Sequence, residues 1–237
     1  MRKIFTSIPK SLKLIYSDPT NLLLAIIPTV MSIVLYLLVV VATYRNSEKF
    51  IGIFKGYIHT SEHADLLAKL LTGILIVLIF ILMSWTFVLV VGIISSPFNT
   101  VLSSRIEKKL NPDLKLPNRG VLQGIIFSLK NEFKKVLVIL CLTFLAITLN
   151  FLPLLYPVSL FLTSLLIASQ FLDYNWSRHE LPFGKCFKEV TSHWVIYGIS
   201  GFGFLLLVSI PIINALVPAL ATSYFTVLWV ELKGESL

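Results

Sequence analysis

Asp18-Pro19-Thr20-Asn21 stands directly before a long apolar run, an order of residue types suited to a helix start that can hold an anion. Thr20 or Asn21 can cap that helix. The N–H groups of its first turn, with the positive end of the helix dipole, form a seat for a small anion beside Lys10 and Lys13. Ordinary capping is the competing reading, since every helix needs a cap and few hold a ligand. Further along, Ser95-Ser96-Pro97-Phe98-Asn99 is expected to break or kink a second long helix, and Ser104, Arg105 and Glu107 fall on its amphipathic continuation. Pro97, Asn99, Ser104, Arg105 and Glu107, with Asn150 and Asn214, would line a polar path. A solvated helix with Lys108 and Lys109 against lipid phosphates accounts for part of the same pattern. Asp173 and Glu231 each close an apolar run and are candidates for gating or proton-linked work, against the commoner solvated acid at an interface.

His59-Thr-Ser-Glu62-His63 has the spacing of two zinc ligands one helical turn apart with a glutamate base between them. It lies in a polar loop without a distal ligand, so no metal site is expected. Among nucleotide and hydrolase signatures, the P-loop, G-x-S-x-G and G-x-G-x-x-G are all missing. Neither an enzyme nor a cofactor is expected.

The elements that must position these residues follow from composition. Of 237 residues, 56% are hydrophobic and 14% charged, and the mean hydropathy is +0.87. A soluble globule cannot hide so much apolar surface, so the chain is expected to be an all-α integral membrane protein. Disorder, a disulfide scaffold and a nucleic-acid binder are excluded on the same ground. Cys141 in an apolar run and Cys186 in a basic loop are not expected to pair. The net charge of +8 then reads as basic loops on the cytoplasmic side of a bilayer rather than as an affinity for nucleic acid.

Leu22 to Tyr44 is an apolar run of about 23 residues, about 34 Å as a helix and enough to cross a hydrocarbon core. Leu70 to Ser96 is longer and continues into the amphipathic stretch, so its helix is expected to span and protrude. The runs 136–152, 158–172, 195–210 and 212–230 are shorter, and Pro153 and Pro211 join them in pairs. Such pairs read as helical hairpins that need not cross completely, with their turns facing protein rather than lipid. Pro153 and Asp173 recur as Pro211 and Glu231 at one common offset, which suggests repeated units, chance in an apolar alphabet being the alternative. The chain thus divides into one membrane domain, 1–237. It has an amphipathic N-terminal helix at 1–20, a long hairpin at 21–110, and short hairpin units at 118–173 and 181–232. Arg2, Lys3, Lys10 and Lys13 near the start, and the lysines and arginines of 97–135, place the N-terminus and the loop after the second span in the cytoplasm. No cleaved signal is expected from the basic start interrupted by Pro9.

Several segments together resemble the CysZ sulfate permease family, which includes the etoposide-induced-protein-like membrane domains. They are IISSPFNTVLSSRIEKKL, SQFLDYNWSRHELPFGKCFKEV, the Asp-Pro opening of the first span and the paired proline turns. The resemblance covers nearly the whole chain. It implies a bacterial inner-membrane protein with two long transmembrane helices, two hemi-penetrating hairpins and cytoplasmic amphipathic helices. It also implies a homo-oligomer that takes up sulfate for assimilation into cysteine. The sequence departs from the family at two places. Where the family carries an arginine pair after the first span's proline, this chain has Leu22 and Leu23. Where the family reads Gly-Leu-Leu-Ala-Glu after Pro-Phe-Asn, this chain has Thr100-Val101-Leu102-Ser103-Ser104. Leucines cannot replace guanidinium forks toward a tetrahedral dianion. Two functions stay open: a permease or channel for a small inorganic anion, sulfate by resemblance, and a non-transporting scaffold that works on membrane lipids with its basic amphipathic segments and hairpins.

Overall fold

A computed structural model describes residues 1–57, 64–112, 121–210 and 216–233, with the side chains of 64, 83–92 and 121–132 outside the description. Every element in them is helical. The helices are α1 (Arg2–Tyr16), α2 (Pro19–Arg45), α3 (Ser47–Tyr57), α4 (Ala64–Leu110), α5 (Val121–Asn150), a 3-10 turn (Pro153–Leu155), α6 (Tyr156–Arg178), α7 (Phe183–Ser192), α8 (Trp194–Val208) and α9 (Val217–Lys233). Four helical stretches are long and apolar enough to cross a membrane: Pro19–Arg45, Asp65–Leu82, Phe133–Asn150 and Pro153–Arg178. A fifth is possible if α7 and α8, bent by 86° at their junction, count as one span. The windows are only 11–22% buried, so most of their apolar side chains face outward, as a lipid solvent permits and water does not.

The chain divides into two compact units, Ile27–Ser96 and the remainder, Met1–Ile26 with Pro97–Leu237. The first holds the greater parts of α2 and α4 and all of α3. Its hydroxyls turn inward to their own helices: Ser32 donates to the Pro28 carbonyl (2.7 Å) and Thr72 to that of Ala68 (2.8 Å). Such back-bonding satisfies these two hydroxyls within their own helices. Asp65 pairs with Lys69 (2.8 Å) and with Lys55.

The second unit holds the buried core. Helices α6, α8 and α9 enclose Leu172, Trp176, Tyr197, Phe204, Phe225 and Trp229. Gly201 lies against the Ser164 carbonyl and Gly198 against the Phe161 ring, so closely that a Cβ at either would collide. Small residues at such a crossing let two backbones approach, which is how helices gain contact in lipid. α1 is amphipathic, and Ile4, Ser7, Ser11 and Ile15 form its buried face. Ile15 joins Ala25, Leu102, Ile106, Ala219 and Val227 in a second cluster.

Two expectations change. α4 is helical through Pro97 for 47 residues, so the expected break does not occur there. The lost N–H leaves one carbonyl of the preceding turn to be satisfied otherwise, and the rest of the ladder holds. α5 and α6 are not short: they extend past the apolar runs to 30 and 23 residues, because amphipathic turns that begin or end them continue the helix where hydropathy alone stops. α8 has 15 residues, and at about 1.5 Å per residue it falls short of a full crossing. The turn at Pro211 lies outside the described residues.

Candidate functional site

The start of α2 is positioned by α1, two residues upstream, and by the C-terminal end of α4. Asp18 caps it: Thr20 N–H donates to Oδ1 (2.9 Å). Arg105 Nη2 (3.0 Å) and Lys109 Nζ (2.6 Å) both donate to Oδ2. Arg105 Nε donates to Asn21 Oδ1 (2.9 Å), and Asn21, fully buried, donates to the Leu14 carbonyl (2.9 Å). Lys109, aided by the Thr20 N–H and Arg105, holds the Asp18 carboxyl well below the usual carboxylate range. The position an external anion would take at this helix start is filled by the chain's own carboxylate.

The four residues proposed for the anion do not converge. Thr20 and Asn21 belong to this junction. Lys10 instead donates to Glu231 Oε1 on α9 (2.8 Å), where Ser7 Oγ donates to Oε2 (2.9 Å) and Lys3 Nζ to the Glu231 carbonyl (2.6 Å). Lys13 is exposed on the outer face of α1. Leu22 is half-buried and Leu23 is 55% exposed.

A second polar centre lies deeper. Asn99, Ser103 and Glu107 follow at intervals of four along α4, which puts them on one face, and all three are buried. Asn175, Arg178 and His179 come from the end of α6, and Thr226 from α9. Ser103 Oγ donates to Asn175 Oδ1 (2.9 Å) and lies 2.9 Å from the Thr226 hydroxyl. Arg178 Nη2 alone faces three oxygens: Glu107 Oε2 (2.6 Å), Asn175 Oδ1 (2.7 Å) and Ser103 Oγ (2.9 Å). His179 Nε2 lies 2.6 Å from Glu107 Oε1, and its ring packs on Trp229, over which Lys233 sits at 3.8 Å. A buried carboxylate is tolerable only with such pairing, since desolvating it alone costs several kcal/mol.

Donors remain over. Among the described residues, Arg178 Nε and Nη1 are buried and have no acceptor, and Asn99 Oδ1 is buried without a donor. A guanidinium with an open edge in a desolvated setting is a ready partner for an oxyanion, because its fork of N–H groups matches two oxygens at once.

The remaining predicted positions are scattered. Asp173 accepts from Lys135 Nζ (2.6 Å), which also donates to Ser177 Oγ (3.2 Å). Asn150 sits at the end of α5 and accepts from Ser159 Oγ (2.8 Å) beside the Pro153 turn. Pro97 is exposed and Ser104 half-buried on α4. Asn214 and the His59, Glu62, His63 motif lie outside the described residues. Among the described residues, no three His, Cys, Asp or Glu side chains gather as a metal ion would need. Arg178, His179, Asn175 and Thr226 were not singled out from sequence. A signal existed for the α4 side, the four-residue step from Asn99 to Ser103 to Glu107, but nothing local marks which α6 residues meet it.

The family described as "Sulfate transporter CysZ/Etoposide-induced protein 2.4" matches residues 7–218. The chain is 30% identical over 188 residues to the sulfate transporter CysZ of Vibrio parahaemolyticus, covering 73% of this chain and 74% of the relative. It is 28% identical over 171 residues to that of Pseudomonas paraeruginosa, covering 68% of each. With the protein of that name from Pseudomonas syringae pv. tomato it shares 25% over 234 residues, covering 95% of this chain and 90% of the relative.

Proposed function

The chain belongs to the sulfate transporter CysZ/etoposide-induced protein 2.4 family, and on that premise we propose that it is an inner-membrane permease or channel for a small inorganic anion, most simply sulfate. The family carries transporters rather than enzymes, and the relatives with matching sequences are bacterial sulfate transporters. The observation that carries the reading is the buried guanidinium edge of Arg178, unpaired among the described residues, within the polar centre of α4, α6 and α9. Where the family resemblance implies an arginine pair at the start of the first span, this chain has Leu22 and Leu23, and its only deeply buried guanidinium among the described residues is Arg178.

The chemistry suits passage rather than storage. Glu107 neutralises Arg178 when no anion is present, so an arriving oxyanion competes with an internal carboxylate for the same cation. That competition keeps binding weak, and a conduit needs a site favourable enough to enter yet weak enough to leave. Asn99, Ser103, Asn175 and Thr226 supply neutral dipoles along the same face. Asn150 and Asn214 would continue the path at the hairpin turns, with Asp173 and Glu231, each paired to lysines, at its gated margins. The N-terminus lies in the cytoplasm in this reading, and copies of the chain assemble around the passage.

Uptake of radiolabelled sulfate into proteoliposomes tests it. Wild type should exceed empty vesicles, and Arg178→Met should fall to their level. Flux no greater than in empty vesicles from folded wild-type protein rejects the reading. A non-transporting scaffold is favoured by a different observation. α1 turns Phe5 and Tyr16, 71% and 68% exposed, away from α9, as a helix lying on a lipid surface would. Ion current in a planar bilayer counts against a pure scaffold.

A further inference from the structure

The segment between the two long helices carries charges of both signs, yet α3 sorts its residues by kind. At about 100° per residue, Phe50, Ile53, Phe54 and Tyr57 fall on one arc of the helix, and Glu48, Gly52, Lys55 and Gly56 on the other, with Lys49 at the border. The chain does not cover the apolar arc. No residue of α3 is buried, and Ile53 is 55% and Tyr57 86% exposed. Tyr44, in the last turn of α2, is exposed as well.

What meets this arc follows from where the two ends of α3 are held. α2 stops at Arg45, and the next two side chains satisfy its last carbonyls: Asn46 Nδ2 donates to the Ala42 oxygen (2.7 Å) and Ser47 Oγ to that of Tyr44 (2.7 Å). α3 starts at once, with the Phe50 N–H donating to the Asn46 carbonyl (3.1 Å). Near its other end, Lys55 pairs with Asp65 in the first turn of α4. Arg45 closes one membrane-crossing stretch and Asp65 opens the next, so both lie at the edge of the hydrocarbon on one face of the bilayer. From Ser47 to Lys55 a helix rises about 12 Å. Pointed along the bilayer normal, that rise would carry Lys55 away from the depth at which Asp65 lies. α3 therefore runs along the membrane surface, where an apolar edge meets the boundary of acyl chains and headgroups.

We propose that α3 is an in-plane interfacial helix whose partner is the phospholipid of the leaflet at the far end of α2 from Asp18. Ile53 and Tyr57 enter the boundary of acyl chains and headgroups, as amphipathic tyrosine rings do at membrane interfaces, with Tyr44 at the same depth. Arg45 and Lys49, both exposed, reach the headgroup phosphates, and Glu48 and Gly52 face water. Because α3 is tied to the end of one long helix and to the start of the other, it sets the depth at which both leave the bilayer. This surface lies wholly within the unit Ile27–Ser96 and does not rest on the chain's moving an anion.

Nitroxide labels on single cysteines test the surface, in the full chain reconstituted into vesicles of phosphatidylethanolamine and phosphatidylglycerol. Glu48→Cys, Gly52→Cys, Ile53→Cys and Tyr57→Cys all fall at exposed positions, and Gly52 has open space where a side chain would stand. Each is made in a Cys141→Ala background, Cys186 being buried. Electron paramagnetic resonance then reads collisions of each label with oxygen, which concentrates in lipid, and with a water-soluble nickel chelate. The oxygen-to-nickel ratio should be severalfold higher at 53 and 57 than at 48 and 52. In detergent-free vesicles the labels at 53 and 57 should also broaden with lipids spin-labelled near the headgroup. Equal nickel access at all four positions, as a helix standing in water gives, overturns the proposal. So does a high oxygen ratio at all four, as a helix sunk in hydrocarbon gives. Shielding of 53 and 57 from both reagents overturns it too, since a second copy of the chain would then cover the edge. The pattern needs only one folded variant on each arc, so the loss of any one variant leaves the test standing.

Discussion

The Asp18 junction and the Glu107 centre are built from the same parts, a carboxylate, an arginine and an asparagine, with α4 supplying a member of each. They differ in solvent and in what is left over. At Asp18 the arginine and lysine side chains are 39% and 38% exposed, and both donate to the carboxylate, with Arg105 Nε donating to the Asn21 side-chain oxygen. At Glu107 the carboxylate is 2% exposed, the arginine 10%, and two guanidinium nitrogens have no partner among the described residues. The first is a cap that closes on itself. The second holds charge in a place where water cannot screen it and leaves donor capacity unused among the described residues, which is why the proposed passage is placed there.

The largest break in this contrast comes from removing one partner of the buried pair. Arg178→Met should lower stability by about 3–5 kcal/mol, as lone buried charges do, whereas Arg178→Met with Glu107→Gln should recover most of it. Thermal unfolding in detergent measures both. Only the stability should return in the double variant; sulfate flux should not, which separates a role in passage from one in folding. Equal stability of Arg178→Met, the double variant and wild type would erase the distinction between the two regions.

A smaller effect probes the packing that holds α6 in register for Arg178 to reach Glu107. Gly201→Ala places a methyl against the Ser164 carbonyl, a backbone atom that cannot swing aside, and should cost about 1–3 kcal/mol. Gly203→Ala on the same helix meets open space and should be neutral in the same unfolding measurement.

The smallest effect is at Asp18, and pH shows it. Its folded-state pKa lies below the unfolded value, so its contribution is complete above the ordinary carboxylate range and is lost as pH falls through the depressed folded value. The stability difference between wild type and Asp18→Asn should hold steady from pH 7 to about 5 and shrink only below about 4. A difference that vanishes already near neutrality would mean that Lys109 and Arg105 do not hold this carboxylate.

What could be read in advance follows the same division. The anion-like position at Thr20 and Asn21 was visible because capping is local. Asp18, its occupant, sits two residues before Thr20, but the two cations that fix it come from a helix some 90 residues on. Lys10 looked like a neighbour of that site by sequence, and the turn between α1 and α2 sends it to Glu231 instead. The shortness assigned to 136–152 and 158–172 came from counting apolar residues, and helices continue through amphipathic turns that such counting leaves out.

The amino-acid order by itself determined the helical membrane class, because a chain 56% hydrophobic has no soluble way to hide its surface and lipid admits few backbones that satisfy themselves. It also determined the family, through motifs spread over nearly the whole chain. Only the tertiary structure decided which charges are buried together. Arg178 and Glu107 are 71 positions apart, and their meeting depends on how α6 rotates against α4, a packing outcome fixed by small residues and core aromatics rather than by any spacing legible along the chain.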